Sequence, residues 1–117
     1  MAELHSELIV RFRKQLIAKG FREAKSPMPD FRPDIFAQKF TVSNKVTEEV
    51  VVEAEIESTL YSEHTTTQLV KMIEYMEFKK RLKVSGYLLV PKGARILSLA
   101  NSLLDTLDSK TIKVIQY

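Results

Sequence analysis

"VVVEAEIES", residues 50–58, decides how the rest of the chain is read. Its β-branched residues and strict alternation predict a strand, in which successive side chains point to opposite faces. Val50, Val52, Ala54 and Ile56 then share one face, and Val51, Glu53, Glu55 and Glu57 share the other. Acids on one face sit about 7 Å apart and repel one another. Two arrangements answer the repulsion. On a solvated edge strand, water and salt screen the charges. On a strand covered by helices on both faces, the buried acids require a cation or a proton.

Working outward, "DIFAQKFTV" (34–42) reads as a strand, and "SNK" (43–45) supplies turn residues. With "EEVVVEAEIES" (48–58) it makes a hairpin. Upstream, Leu4, Leu8, Phe12 and Leu16, widened by Ile9 and Ile17, predict a helix over 3–19, with Gly20 as its stop. "FREAK" (21–25) is a short strand and "SPMPDFRP" (26–33) a Pro-rich loop. Downstream, a helix spans 63–82 with Ser62 or Thr65 as its cap, and its apolar stripe is Leu69, Ile73 and Met76 flanked by Val70 and Met72. "VSGYLLVP" (84–91) is apolar on both faces and suits a central strand. A third helix over 93–108 turns Ala94, Leu97, Ala100, Leu103, Leu104 and Leu107 inward, and "TIKVIQY" (111–117) is the last strand. The order is α-β-β-β-α-β-α-β. It predicts an α/β fold, a single mixed β-sheet flanked by helices, with the third and fourth strands parallel across their helical crossover.

The 117 residues predict one domain spanning 1–117. No apolar run reaches the about 18 residues of a membrane span. "MAELHSELIV" has no basic region followed by an apolar block, so no secretory leader is expected. Cysteine is absent, which excludes disulfides and thiolate metal sites and fits a cytoplasmic protein. The net charge of +3 permits contact with nucleic acid without demanding it. No glycine-rich phosphate loop is present, so no nucleotide cofactor is expected.

Asp34, directly after Pro33, opens the strand that pairs with the acidic one. In the hairpin it lies across from the acidic face. Three carboxylates converging at a sheet edge form a hard oxygen cage suited to Mg²⁺ or Mn²⁺. Zinc is poorly supported, since the chain offers no Cys and only His5 and His64. Neither histidine has a Ser or Cys partner that suggests a nucleophilic triad.

"RPDIFA" (32–37) followed by "VVVEAEIE" (50–57) resembles the PD-(D/E)XK nuclease superfamily. That pattern is Pro-Asp, a spacer, then an acid, any residue and Lys on the next strand. Pro33-Asp34 matches the first half, Glu53 matches the acid, Ala54 is the free position, and Glu55 stands where Lys is usual. The local pattern is nearest to archaeal Holliday junction resolvases. There a first helix carrying a Glu, here Glu7 or Glu3, leads to Gly20-Phe21, a Pro-rich loop and Pro33-Asp34-Ile35. "SEHTTTQLVKMIEY" (62–75) resembles the helix after the metal strand, with Gln68 and Tyr75 placed for polar contacts near the site.

The resemblance implies a restriction endonuclease-like fold and a homodimer that hydrolyses DNA phosphodiester bonds, on branched or recombination and repair intermediates. It implies Mg²⁺ (or Mn²⁺) held by Asp34 and Glu53, joined by Glu55 and the first-helix Glu7, with Gln68 assisting catalysis. The family's Lys positions the attacking water and stabilises phosphate charge. Glu55 carries no positive charge. Some restriction endonucleases of the superfamily are similar in having Glu there and cut DNA, so Glu55 is either a further metal ligand or a base toward water. The alternative is a catalytically inactive module that keeps the scaffold and binds nucleic acid or a protein partner.

Other side chains have both structural and functional readings. His5 reads as a partly buried structural residue and His64 as a surface cap rather than a phosphate contact. Gln38 shares a strand face with Asp34 and is expected to border the cleft. Gln68, Met72, Tyr75 and Lys79 form a stripe that either borders the site or touches solvent. Lys79, Lys80, Arg81 and Lys83, and separately Arg11, Arg13, Lys14, Lys19, Arg22 and Lys25, are basic concentrations, the second a plausible phosphate track. The exposed part of "SGYLLV" or the last helix is expected to supply the dimer interface.

Overall fold

The hairpin forms as the alternation predicts. β2 (Ile35–Phe40) and β3 (Val46–Ala54) pair antiparallel, with Ile35 opposite Val52 and Ala37 opposite Val50. Their turn places Asn44 at φ 63°, a left-handed conformation that Asn tolerates. The computed structural model describes residues 2–26, 28–79 and 82–117. The remaining elements are α1 (Ala2–Ala18), β1 (Arg22–Glu23), α2 (Glu63–Phe78), β4 (Lys83–Val90), α3 (Ala94–Thr106) and β5 (Ile112–Gln116). The order is the predicted α-β-β-β-α-β-α-β.

The strands lie in one five-stranded sheet in chain order, β1-β2-β3-β4-β5. The first two pairings are antiparallel and the last two parallel, so the fold is α/β with a mixed sheet. Each parallel step crosses over a helix, α2 and then α3, as parallel pairing requires. α1 covers one face, where Leu8, Phe12 and Leu16 pack on Ile35, Val50, Val52 and Ala54. α2 and α3 cover the other, where Leu69, Met72, Leu103 and Leu104 pack with Phe36, Val51, Leu88 and Val90. A sheet covered on both faces has little room for unpaired charge.

α1 ends where Gly20 takes φ 94°, with Gly20 N–H on Ile17 O (3.0 Å) and Phe21 N–H on Leu16 O (3.0 Å). That is the Schellman stop a helix-terminal glycine permits. Ser62 caps α2 by accepting from Thr65 N–H, which decides between the two candidate caps. α2 rides close on β4 at Gly86, where an added Cβ would meet Met76 Sδ at 2.6 Å and Met72 Sδ at 3.1 Å.

Several expectations need correction. α2 ends at Phe78 rather than at 82, and its buried residues are Thr65, Gln68, Leu69, Met72 and Tyr75. Ile73 and Met76 are only partly buried and Val70 is exposed, so the helix is rotated from the purely apolar stripe. The rotation is possible because Gln68 finds a partner in the Arg32 N–H and Tyr75 in the buried Glu49. β3 stops at Ala54, so Glu57 leaves the sheet face and pairs with Arg95 at the surface. Leu4 and Ile17, read as core, are exposed. β4 lies between β3 and β5, and Leu88, Leu89 and Val90 are fully buried, so "SGYLLV" offers little surface for a dimer. Lys80 and Arg81 of the expected basic cluster lie outside the described residues. Among the described residues, no helix is long and apolar enough to cross a membrane.

Candidate metal centre

The register that pairs Ile35 with Val52 carries Asp34 alongside Glu53. Asp34 Oδ2 accepts the Ala54 N–H at 2.8 Å, which fixes its carboxylate across the hairpin. Beyond the end of β3, Glu55 N–H still donates to Leu89 O at 2.9 Å, so the chain stays beside β4 for one more residue. The result is that one carboxylate oxygen from each of Asp34, Glu53 and Glu55 lies within 4.8 Å of the others. Glu53 and Glu55 are buried, at 2% and 4% exposure, and Asp34 is half-buried. The three line a hollow of about 430 Å³ with His5, His64 and the start of α2 on its other walls.

Two carboxylates on the same face of β3 show what is unusual here. Glu49 lies about 13 Å along the strand from Glu53. Both are buried on the α2 side of the sheet. Glu49 is paired: Tyr75 Oη donates to Oε1 at 2.5 Å and Gln38 Nε2 donates to Oε2 at 2.7 Å. Burial and that bond push the Tyr75 hydroxyl well above its ordinary pKa. Glu53 has only its acidic neighbours Asp34 and Glu55 within hydrogen-bonding reach. Its Oε1 is buried without a hydrogen-bond partner among the described residues. Burial first, then the neighbouring Asp34 and Glu55 carboxylates, push its pKa up from 4.5 to about 10. At neutral pH it holds a proton unless a cation takes the proton's place.

His5, on the first turn of α1, reaches across to this site. Its Nε2 donates to Ala54 O at 2.8 Å and lies 3.6 Å from Asp34 Oδ2. The backbone is thereby held on both sides of the Ala54 Cα, the 53–54 peptide through its N–H by Asp34 and the 54–55 peptide through its C=O by His5. His64 also lines the hollow, while the capping role expected of it falls to Ser62.

The remaining expected residues lie elsewhere. Glu7 is exposed and belongs neither to the carboxylate cluster nor to the walls of the hollow. Its helical phase turns it away from the buried stripe, and His5 stands at the site instead. The Glu3 side chain lies outside the described residues. Gln68 is buried but does not line the hollow; its Oε1 accepts the Arg32 N–H at 2.9 Å and so fastens the loop leading into Pro33-Asp34. Gln38 and Tyr75 serve Glu49, not the cleft. In the expected phosphate track, Arg13 pairs with Glu23 and Arg22 lies over the Phe40 ring.

Sequence reading missed Glu49 as a buried residue and His5 as a member of the site. His5 precedes Leu8 by one helical turn, a spacing that places both near the sheet. No family model, curated protein or solved structure matches the chain.

An all-carboxylate donor set with one orphaned buried oxygen fits a hard divalent cation. The two imidazoles at the rim are the side chains lining the hollow that can carry positive charge.

Proposed function

We propose that this chain is a metal-dependent endonuclease of the PD-(D/E)XK superfamily, restriction endonuclease-like in fold, that hydrolyses DNA phosphodiester bonds. The observation that carries the reading is the orphaned Glu53 Oε1, buried beside two further carboxylates within 4.8 Å. A carboxylate left in that position costs several kcal/mol unless it is compensated, and a structural role alone gives no reason to keep it. The mixed sheet, the Asp34 that leads into β2 and the acid-bearing β3 accord with the family pattern.

Asp34, Glu53 and Glu55 hold the cation, Mg²⁺ or Mn²⁺. When bound, such an ion supplies Lewis acidity toward a phosphate oxygen and lowers the pKa of water. Glu55 offers a second carboxylate oxygen as acceptor for the proton of the attacking water. Asp34 is kept in place by the Ala54 N–H, and His5 holds the adjoining peptide, which leads to Glu55, through the Ala54 C=O. Branched DNA of the kind met in recombination and repair is the proposed substrate, and a homodimer with one site per strand is the proposed assembly.

One observation favours a second reading. Among the described residues lining the hollow there is no Lys, and Glu55 occupies the position where the family places it. A module that has kept the fold and lost catalysis would bind nucleic acid or a protein partner without cutting. Incubation with branched and linear DNAs, in Mn²⁺ and in chelator, separates the two. Cleavage that needs Mn²⁺ and disappears in Glu53→Ala supports the enzyme. Activity retained in an Asp34→Ala, Glu53→Ala double variant removes this site assignment, and metal-independent binding without cleavage favours the module.

A further inference from the structure

Ile56 and Ser58 line the hollow beside the triad. A second hollow of about 440 Å³ adjoins it, and Ile56 and Ser58 belong to the walls of both. Its floor includes the buried Ile96, and its rim carries Lys92 and Arg95. The two hollows are neighbours across Ile56 and Ser58, carboxylates lining one and cations the other.

The placement of those cations is unusual. Lys92 and Arg95 flank Gly93, the residue that precedes α3. A helix start carries partial positive charge, so cations there are disfavoured unless an anion is close. Gly93 provides no side-chain cap to lessen that charge. The anion at hand is Glu57, which accepts from Arg95 Nε and occupies one edge of the guanidinium. Both side chains of this pair are exposed, and such a surface pair is weak. Lys92 is exposed and makes no ion pair among the described residues. An anion arriving in this second hollow meets an ammonium and the unused edge of a guanidinium.

We infer that this second hollow receives the phosphate next to the one being cut, held by Lys92 and Arg95, so that the DNA strand crosses the ridge of Ile56 and Ser58. The inference rests on the nuclease reading and adds the path of the strand. Glu57 competes with the phosphate for Arg95.

The test is the salt dependence of DNA binding by the full chain. A fluorescein-labelled branched duplex is titrated with protein in Ca²⁺ over a range of salt. For a Lys92→Gln, Arg95→Gln double variant, the slope of log affinity against log salt falls by about 0.9, the counterion release of one phosphate contact. Lys45→Gln, in the β2–β3 turn at the far end of the sheet, leaves the slope unchanged. Glu57→Gln acts in the opposite direction and tightens binding at low salt. An unchanged slope in the double variant, or an equal fall in Lys45→Gln, overturns the inference. The Mn²⁺-dependent rise in Tm is read on the same proteins. If the double variant keeps that rise and its slope does not fall, only the strand path fails. If the wild type shows neither a metal response nor DNA binding, the nuclease reading fails with it.

Discussion

Replacing Glu53 by Gln should make the metal-free protein more stable at neutral pH and remove most of its pH sensitivity. Glu53 titrates near 4.5 in the unfolded chain and, through burial and its two acidic neighbours, near 10 when folded. Between those values the folded state holds one proton that the unfolded state has released. The group's contribution is therefore complete below the unfolded value and is lost steadily as pH rises toward the folded one. The slope is about 1.4 kcal/mol per pH unit. At pH 7.5 the accumulated loss is about 4 kcal/mol, and this figure requires only that the folded value exceed the working pH. Gln has the same shape and carries no proton to take up. It recovers that loss, less about 1–3 kcal/mol if its amide is left without a partner. Urea denaturation in chelator at several pH values between 6 and 8.5 measures the difference. Parallel pH dependences in the wild type and Glu53→Gln would refute the reasoning, because they would mean that Glu53 is ionised and solvated in the folded protein. Saturating Mn²⁺ should flatten the wild-type curve and leave the variant untouched.

Other perturbations test neighbouring parts of the structure. Mn²⁺ at a hundredfold excess over its Kd should stabilise the wild type by about 2.7 kcal/mol, read as a rise in Tm, and Asp34→Asn should abolish the rise. Tyr75→Phe leaves Glu49 with Gln38 alone and should cost about 1.5–3 kcal/mol while the Mn²⁺ response persists. A lost metal response there would mean that the two buried acids are not independent. Gly86→Ala sets a methyl against the Met76 and Met72 thioethers and should cost about 1 kcal/mol, the low end of overpacking because those side chains can shift. His5→Ala frees the Ala54 carbonyl and should weaken Mn²⁺ binding more than it lowers stability. Calorimetric titration beside a urea midpoint compares the two.

Hydrophobic patterning was enough to order the elements, because each helix buries one regular face and the central strands, covered on both faces, carry apolar runs. The parallel pairing of β3 with β4 followed from the helix between them. The Asp34–Glu53–Glu55 grouping was legible because a hairpin fixes which residues face one another. What the sequence concealed depends on partners distant along the chain. Glu49 reads as the polar start of a strand, and only Tyr75 and Gln38 make its burial tolerable. The same two-sided pairing turned α2 away from its purely apolar stripe. Glu57 continued the alternation on paper, but a turn in which Leu60 N–H bonds Ile56 O ends the extended backbone before it. Glu7 was carried over from the family pattern, and its helical phase, already pointing away from Leu4, Leu8 and Phe12, was the better guide.

The pinning of the backbone on both sides of Ala54 has a mechanical consequence. Its carbonyl is gripped by a side chain from the first turn of α1, while its amide grips Asp34. Sheet formation alone therefore leaves the carboxylate cage incompletely braced. The brace closes only when the opening helix docks, so a clip or truncation within that turn would loosen ion capture while leaving the β-scaffold standing.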